Sequence, residues 1–313
     1  MPLRLLFVGL AAYVFSAFLF LTLDVRADWG FILAFRGPKL VALTVVAVAV
    51  AVSTLVFQTI TANRILTPAI LGFDALYVLI QTVLVLFIGG AGRSGLHGLP
   101  LFTLEAGLMV VLALLLFHAL LRRSHDLNRL VLTGIVLGIL LRSISSLISR
   151  LIDPSEYAFV MANSYAGFNN VDLDLLWIAC GVTATLVLVI WFRSRQLDVV
   201  ALGADTSRVL GVEHRLEARR LMTAVSLLVA VSTALVGPIV FFGLLVCAIT
   251  YLLAGTWRHA ILLPLSALFG ASLLITCQTL FERVLNLQSN VLVVIDGAGG
   301  LIFLYLLYLG SRR

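Results

Sequence analysis

Charge is the scarcest commodity in this sequence: only 12% of its 313 residues are Asp, Glu, Lys or Arg, about half the share of an ordinary soluble domain. With 62% apolar residues and a mean hydropathy of +1.14, the chain has too little charge to cover a water-facing surface. Lysine is rarer still. Lys39 is the only one, and its setting in Gly37-Pro38-Lys39-Leu40 lacks the glycine spacing that wraps backbone amides around phosphates, so the chain does not bind and hydrolyse ATP through a Walker loop. HExxH and Ser/His/Asp signatures are absent as well. The three cysteines, Cys180, Cys247 and Cys277, sit singly in apolar runs without CxxC or Cys/His spacing, which excludes a disulfide framework and a thiolate metal site. His97, His118, His125, His214 and His259 are scattered over different segments, so no metal site and no cofactor are expected. The basic excess of +6 comes almost wholly from dispersed Arg, without a basic block, and does not point to nucleic acid.

What the chain has instead is a succession of apolar runs long enough to cross roughly 30 Å of hydrocarbon as helices. Read between charged or Gly/Pro punctuation, they predict ten spans: 3–23, 39–61, 68–89, 101–121, 129–151, 173–193, 218–236, 238–254, 260–281 and 291–309. Only the Gly237-Pro238 dipeptide separates the seventh from the eighth. Placing the N-terminus in the cytoplasm puts fourteen of the 21 basic residues inside, Arg312 and Arg313 among them, so both termini are expected to be cytoplasmic. The acidic segment between spans five and six, with Asp153, Glu156, Asp172 and Asp174, then lies outside and is long enough for a short interfacial helix.

Ionisable groups inside the spans are few. Asp74 and Glu105 fall near helix starts, where a carboxylate suits the dipole, and Asp296 in Val-Val-Ile-Asp-Gly-Ala-Gly-Gly is the deepest carboxylate. Arg142 lies about 20 Å from the inner end of span five, at 1.5 Å per residue. Ser145, Ser146 and Ser149 follow it at i+3, i+4 and i+7, a polar face that reads either as a snorkelling Arg with serine helix contacts or as the wall of an anion-accessible vestibule. Gly134 and Gly138 make a GxxxG step in the same span, read as close packing or as the thin wall of a passage.

From Arg193 to Arg220 the hydrophobic signal lapses, yet the stretch Ala-Leu-Gly-Ala-Asp-Thr-Ser-Arg-Val-Leu-Gly-Val from Ala201 is not disordered in composition. Gly203 and Gly211 suit helix ends, and Asp205-Thr206-Ser207 offers capping oxygens, so two short surface helices are expected, the first ended by Gly203 and the second closed by Gly211.

That stretch resembles the coupling loop in permeases of the iron-chelate and cobalamin class of ABC importers. Phe35-Arg-Gly-Pro-Lys-Leu40 is similar to the family's Arg-Leu-Pro-Arg segment, and Asn63, Thr67-Pro68 and Leu71-Gly72 match the segment before span three. Leu235-Val-Gly-Pro-Ile-Val-Phe-Phe-Gly-Leu, Leu263-Pro-Leu-Ser and the glycine-rich Gly297-Ala-Gly-Gly resemble later family runs. Two departures stand out: Cys247-Ala248 and Ile249-Thr250 replace the usual Pro-His region, and Gln278 stands near the usual aspartate. The wording is most like the permeases for catecholate and related siderophores such as vibriobactin, anguibactin and petrobactin.

The resemblance implies an all-α polytopic membrane protein of type II importer architecture, with residues 1–313 as one permease domain and coupling helices within 194–217. It implies a non-catalytic subunit of the bacterial inner membrane. Its expected partners are two ATPase subunits, an external substrate-binding protein, a second permease copy or paralogue, and a ferric siderophore. Leu202, Gly203, Asp205, Arg208, Leu210, Gly211 and Val212 are the expected ATPase-coupling residues, and Arg36, Lys39 and Arg283 the expected binding-protein contacts. Thr133, Gly134, Gly138, Arg142, Ser146 and Asp296 are expected along the pathway, Thr133 and Gly134 at its inner gate. The alternatives are an ion-coupled secondary transporter and an ABC permease for haem or cobalamin.

Overall fold

The computed structural model describes residues 2–24, 28–95, 99–123, 127–163, 167–168, 171–285, 294–301 and 304. Among these residues there are helices and connections and no strand. The long helices are α1 (Pro2–Thr22), α2 (Trp29–Ile60), α3 (Phe73–Gly95), α4 (Leu99–Arg123) and α5 (Leu127–Ser149). After the short α6 (Pro154–Asn163) come α7 (Leu173–Phe192), the short pair α8 (Ser194–Val200) and α9 (Ala204–Val209), then α10 (His214–Val236), α11 (Phe242–Ala254) and α12 (His259–Thr279). A last helix, α13, covers 294–301. The rest of the span expected at 291–309, and Arg312 and Arg313, lie outside the described residues.

Among the described residues, six helices (α1, α2, α5, α7, α10 and α12) are long and apolar enough to cross a membrane; α3, α4 and α11 carry shorter apolar stretches. α6 falls in the acidic segment where an interfacial helix is expected. Span three is expected to stop at residue 89, and Gly89, at φ +67°, interrupts α3 there.

Two spans differ from expectation. α2 begins ten residues early and runs through Pro38, because the Arg-Gly-Pro-Lys segment that reads as punctuation has its charges satisfied inside the protein. The eighth span shrinks to the 13 residues of α11, about 20 Å at 1.5 Å per residue and so short of a crossing. Gly237 is left-handed at φ +99° and Pro238 has no N–H to continue α10, so 237–241 leaves the helix inside the bundle. Such backbone is tolerated at membrane depth only where protein satisfies it.

Helices in lipid gain little from burying apolar surface against one another and associate through close packing of small residues. The α2–α12 contact follows this rule: a Cβ on Gly270 of α12 would lie 3.2 Å from the Ala51 side chain and 3.3 Å from the Ala47 carbonyl of α2. The two helices run antiparallel. Thr59 near the end of α2 meets His259 at the start of α12, and Lys39 near the start of α2 pairs with Glu282 just past the end of α12.

The GxxxG step of α5 is a packing device. Gly72, at φ +102°, follows a 3-10 turn at Ala69–Leu71, and a Cβ there would stand 3.0 Å from the Gly138 Cα, with the Gly134 carbonyl at 3.8 Å. Backbone opposes backbone, so neither side can give way. Gly72→Ala is expected to destabilise the detergent-solubilised protein by about 1–3 kcal/mol, from left-handed strain and overpacking. Gly107→Ala on an exposed face of α4, where a Cβ meets nothing within 4 Å, is expected to leave the melting temperature unchanged or raise it slightly. Parallel thermal melts of the two variants check this.

Candidate functional site

Three polar constellations stand out at different heights of the bundle. The first is at the end formed by α8 and α9. Gly203 at φ +91° separates the two helices, and Gly211 at φ +78° follows Leu210 at the close of α9; a Cβ at either would meet nothing within 4 Å. The need for glycine there is conformational, not steric. Inside the turn the buried Ser207 hydroxyl bonds the Gly203 and Val199 carbonyls at 2.6 and 3.0 Å, and the Val212 N–H closes on the Ser207 carbonyl at 2.9 Å. Ser194, Leu197 and Val200 bury one face of α8. Asp205 and Arg208 lie exposed on α9, as do Leu202, Val209 and Leu210 around it, with Val209 at 87% exposure. A small rigid element that turns apolar side chains outward has the character of a docking surface.

An ion pair and a carboxylate–imidazole hydrogen bond brace it. Arg193 at the end of α7 reaches both oxygens of the buried Glu217 in α10 at 2.6 and 2.8 Å, with Arg220 adding a longer contact. Asp198 of α8 accepts from the backbone N–H of His259 at 2.8 Å and from its ring Nδ1 at 2.7 Å. The same imidazole meets the Thr59 hydroxyl of α2 through Nε2 at 2.7 Å. Beside this chain, the Arg64 guanidinium lies between the Tyr251 and Trp257 rings at 4.6 and 4.3 Å. None of these groups is among the expected coupling residues. Their partners are 24, 61 and 200 positions apart in sequence, and no local spacing announces them.

The second constellation is within the bundle. Arg142 of α5 donates to Asp74 at 2.5 Å; Asp74 is largely enclosed, while 62% of the Arg142 side chain remains exposed. Asp74 stands in the first turn of α3, a helix start as expected, but deeper than a shallow position would put it, opposite Arg142. The connection at 61–72 dips inward, and α3 starts level with Arg142. Asp296 of α13 accepts from the backbone N–H groups of Phe241 and Val240 at 2.9 and 3.5 Å, which satisfies the start of α11 where the chain is broken. Asp74 is near enough to act electrostatically on Asp296. A small, mainly apolar cavity adjoins the same break, walled by Val50, Val229, Ile239 and Val240 among others, with Ser53, Thr54, Thr67, Ser232 and Thr233 adding hydroxyl residues to its lining.

The polar face expected after Arg142 divides in two. Ser145 turns inward to bond Thr82 at 2.8 Å, whereas Ser146 stays exposed beside Arg142 and Ser143. Thr133 is exposed and Gly134 buried; Gly138 is buried against Gly72.

The third constellation is at the opposite end. Arg36, expected to present its charge outward, is instead buried and donates to the carbonyls of Phe20, Leu21, Leu23 and Asp24 at 2.9–3.2 Å. Its guanidinium holds the last turn of α1, which has four orphan carbonyls to satisfy. Lys39 pairs with Glu282, which also accepts from Gln278 at 2.6 Å. Glu282 and Arg283 ride on a π-helical turn, Leu280–Val284, that ends α12. The Arg283 Nε is buried with no hydrogen-bond partner among the described residues. Arg36, Lys39, Glu282 and Arg283 thus form one charge cluster.

Comparison with known proteins identifies the family. The family model of the FecCD transport family matches residues 5–309. The chain is 37% identical over 303 residues to the petrobactin import system permease protein YclO of Bacillus subtilis, covering 96% of this chain and 95% of that one. It is 33% identical to the petrobactin import system permease protein FatC of Bacillus anthracis, covering 86% and 76%. It is 30% identical to the vitamin B12 import system permease protein BtuC of Salmonella typhi, covering 90% and 85%. Among solved structures, an inward-facing conformation of a metal-chelate type ABC transporter superposes with a TM-score of 0.84 at 20% identity, over 98% of this chain and 99% of that one. With the family model spanning almost its whole length, the chain belongs to the FecCD transport family.

Proposed function

We propose that this chain is the membrane-spanning, non-catalytic subunit of an ATP-driven importer that brings a ferric siderophore of the petrobactin type into a bacterial cell. The observation that carries the reading is the α8–α9 element: glycine-bounded, apolar on its outer face and braced to four long helices, in a chain with no phosphate-binding motif of its own. Such a surface suits a separate ATPase subunit, one for each of two permease copies. Leu202, Leu210 and Val212 then supply apolar contact, Asp205 and Arg208 the polar rim, and Gly203 and Gly211 the shape. The petrobactin importers among the relatives support the solute class. Residues 1–313 act as one permease domain, with 194–217 on the cytoplasmic side.

Arg142 supports an anionic solute. A guanidinium exposed on an apolar helix face is costly against lipid, so that face of α5, with Ser146, belongs beside a water-filled passage completed by a second copy or a paralogue. Asp74 holds the guanidinium in place until a chelate arrives. The exposed Thr133 lines the inner stretch of that passage, Gly134 and Gly138 seat α5 against the Gly72 turn behind it, and Asp296 keeps the broken α10–α11 segment in shape beside it. At the far end, Arg283 and the Lys39–Glu282 pair offer the charges that a binding protein would meet, with Arg36 fixing the helix ends below them.

Proteoliposomes holding the permease, its ATPase and its binding protein are expected to take up ferric petrobactin only with ATP, and cyanocobalamin poorly. Uptake by the permease alone along a proton or sodium gradient would overturn the reading. In the same vesicles Arg142→Gln is expected to cut uptake of ferric petrobactin about tenfold or more, the scale set by losing one ion contact of 1.5–3 kcal/mol. Arg283→Glu is expected to lower uptake when solute is delivered by the binding protein and to leave ATPase association intact.

Gly211→Arg puts a bulky side chain at a left-handed position in the middle of the docking element. It is expected to abolish co-purification of the ATPase while the permease still inserts, its stability lowered by no more than about 1–3 kcal/mol of left-handed strain. Normal ATPase recovery with this variant would count against the assignment.

A further inference from the structure

Helices α7 and α10 are joined to the α8–α9 element through the backbone, so any displacement of that element reaches them directly. Helices α2 and α12 are not: Asp198 stands 61 residues before His259 and far from Thr59 in sequence. They sense α8 only through side chains. We propose that Asp198, His259 and Thr59 form the link that carries movement of α8 into the α2–α12 pair, and through that pair to the charge cluster at the opposite end. The inference rests on the reading of α8–α9 as the ATPase seat.

The geometry of the link is directional. A carboxylate only accepts, so the Nδ1 of His259 carries the hydrogen it gives to Asp198. The Thr59 hydroxyl, with one hydrogen, lies between the Nε2 at 2.7 Å and the Leu55 carbonyl at 2.9 Å. The imidazole is buried, with 5% of its side chain exposed, so losing a partner there carries a desolvation cost. Because Asp198 also takes the His259 backbone N–H, it grips both the side chain and the first residue of α12.

Beyond the link, α2 and α12 move as one body. They are pinned by Thr59–His259 at one end, by Gly270 against Ala47 and Ala51 in the middle, and by Lys39–Glu282 at the other end. Twenty residues separate Lys39 from Thr59, about 30 Å of helix. Close packing without slack transmits a rigid-body shift over that distance, where a loose contact would absorb it. An ATPase-driven movement of α8 thereby changes the presentation of Glu282 and Arg283 on the π-turn.

The test is the number of ATP molecules hydrolysed per ferric petrobactin imported, in proteoliposomes containing the complete importer. Asp198→Ala is expected to raise that ratio about threefold or more, within the range for coupling residues that touch neither ligand. Asp198→Asn keeps an oxygen for both His259 hydrogens and is expected to stay near the wild-type ratio. Thr59→Val, which keeps the volume and removes only the hydroxyl, is expected to raise it too, and decides the matter should Asp198→Ala fail to assemble. A merely structural role lowers hydrolysis and uptake together and leaves the ratio unchanged; that result in a working importer overturns the link alone. A wild-type complex without ATP-driven uptake overturns the importer reading and the link with it.

Discussion

The contact between α2 and α12 holds the other elements in register. Its middle depends on an absent side chain, since Gly270 lets the two backbones approach until Ala47 and Ala51 fill the gap. In water such a contact would be a minor part of a hydrophobic core. In a bilayer, where lipid competes equally for apolar surface, this closeness is what favours one helix partner over another. α1 packs along the same α12, α11 crosses both, and α10 lies against α2. The polar groups at the two ends of the pair then have fixed positions to act from.

A second constraint is the cost of charge and open backbone at membrane depth. The structure meets much of it by setting buried groups against one another. Asp296 satisfies the N–H groups exposed by the Gly237-Pro238 break, Arg36 satisfies the carbonyls at the end of α1, and Glu217 is held by Arg193. Arg142 stands apart, because Asp74 takes one edge of its guanidinium and the rest remains exposed. An unfinished cation on an apolar face is the feature that most clearly separates a passage from a packed bundle.

The all-helical class and the order of the apolar helices were largely legible in the sequence, because apolar length and Gly/Pro punctuation are local properties. The left-handed glycines at 203 and 211 were legible for the same reason: a polar insert with capping residues and two glycines has few ways to fold. What was hidden depends on contacts between distant positions. The Arg36 segment looked like an exposed basic turn, since nothing nearby in sequence reveals that it completes the end of α1. Span eight looked full-length because hydropathy cannot tell a crossing helix from thirteen residues following a broken backbone. Asp198 and His259 carried no motif at all; each looked like an ordinary helix-end residue until the fold brought α8 against α12. Asp74 looked shallow because the inward dip of 61–72 leaves no mark on composition.

The central claim is that an ATPase subunit sits on the α8–α9 element and that solute enters from the far end of the bundle. Cross-linking tests it most directly, using single cysteines introduced at Val209, exposed on α9, and at Trp29, exposed at the start of α2, in a chain whose Cys180, Cys247 and Cys277 are replaced by alanine. A thiol-to-amine cross-linker applied to the assembled complex is expected to join Val209→Cys to the ATPase subunit and to leave Trp29→Cys unjoined to it. Attachment of the ATPase to Trp29→Cys, with none at Val209→Cys, would contradict the account.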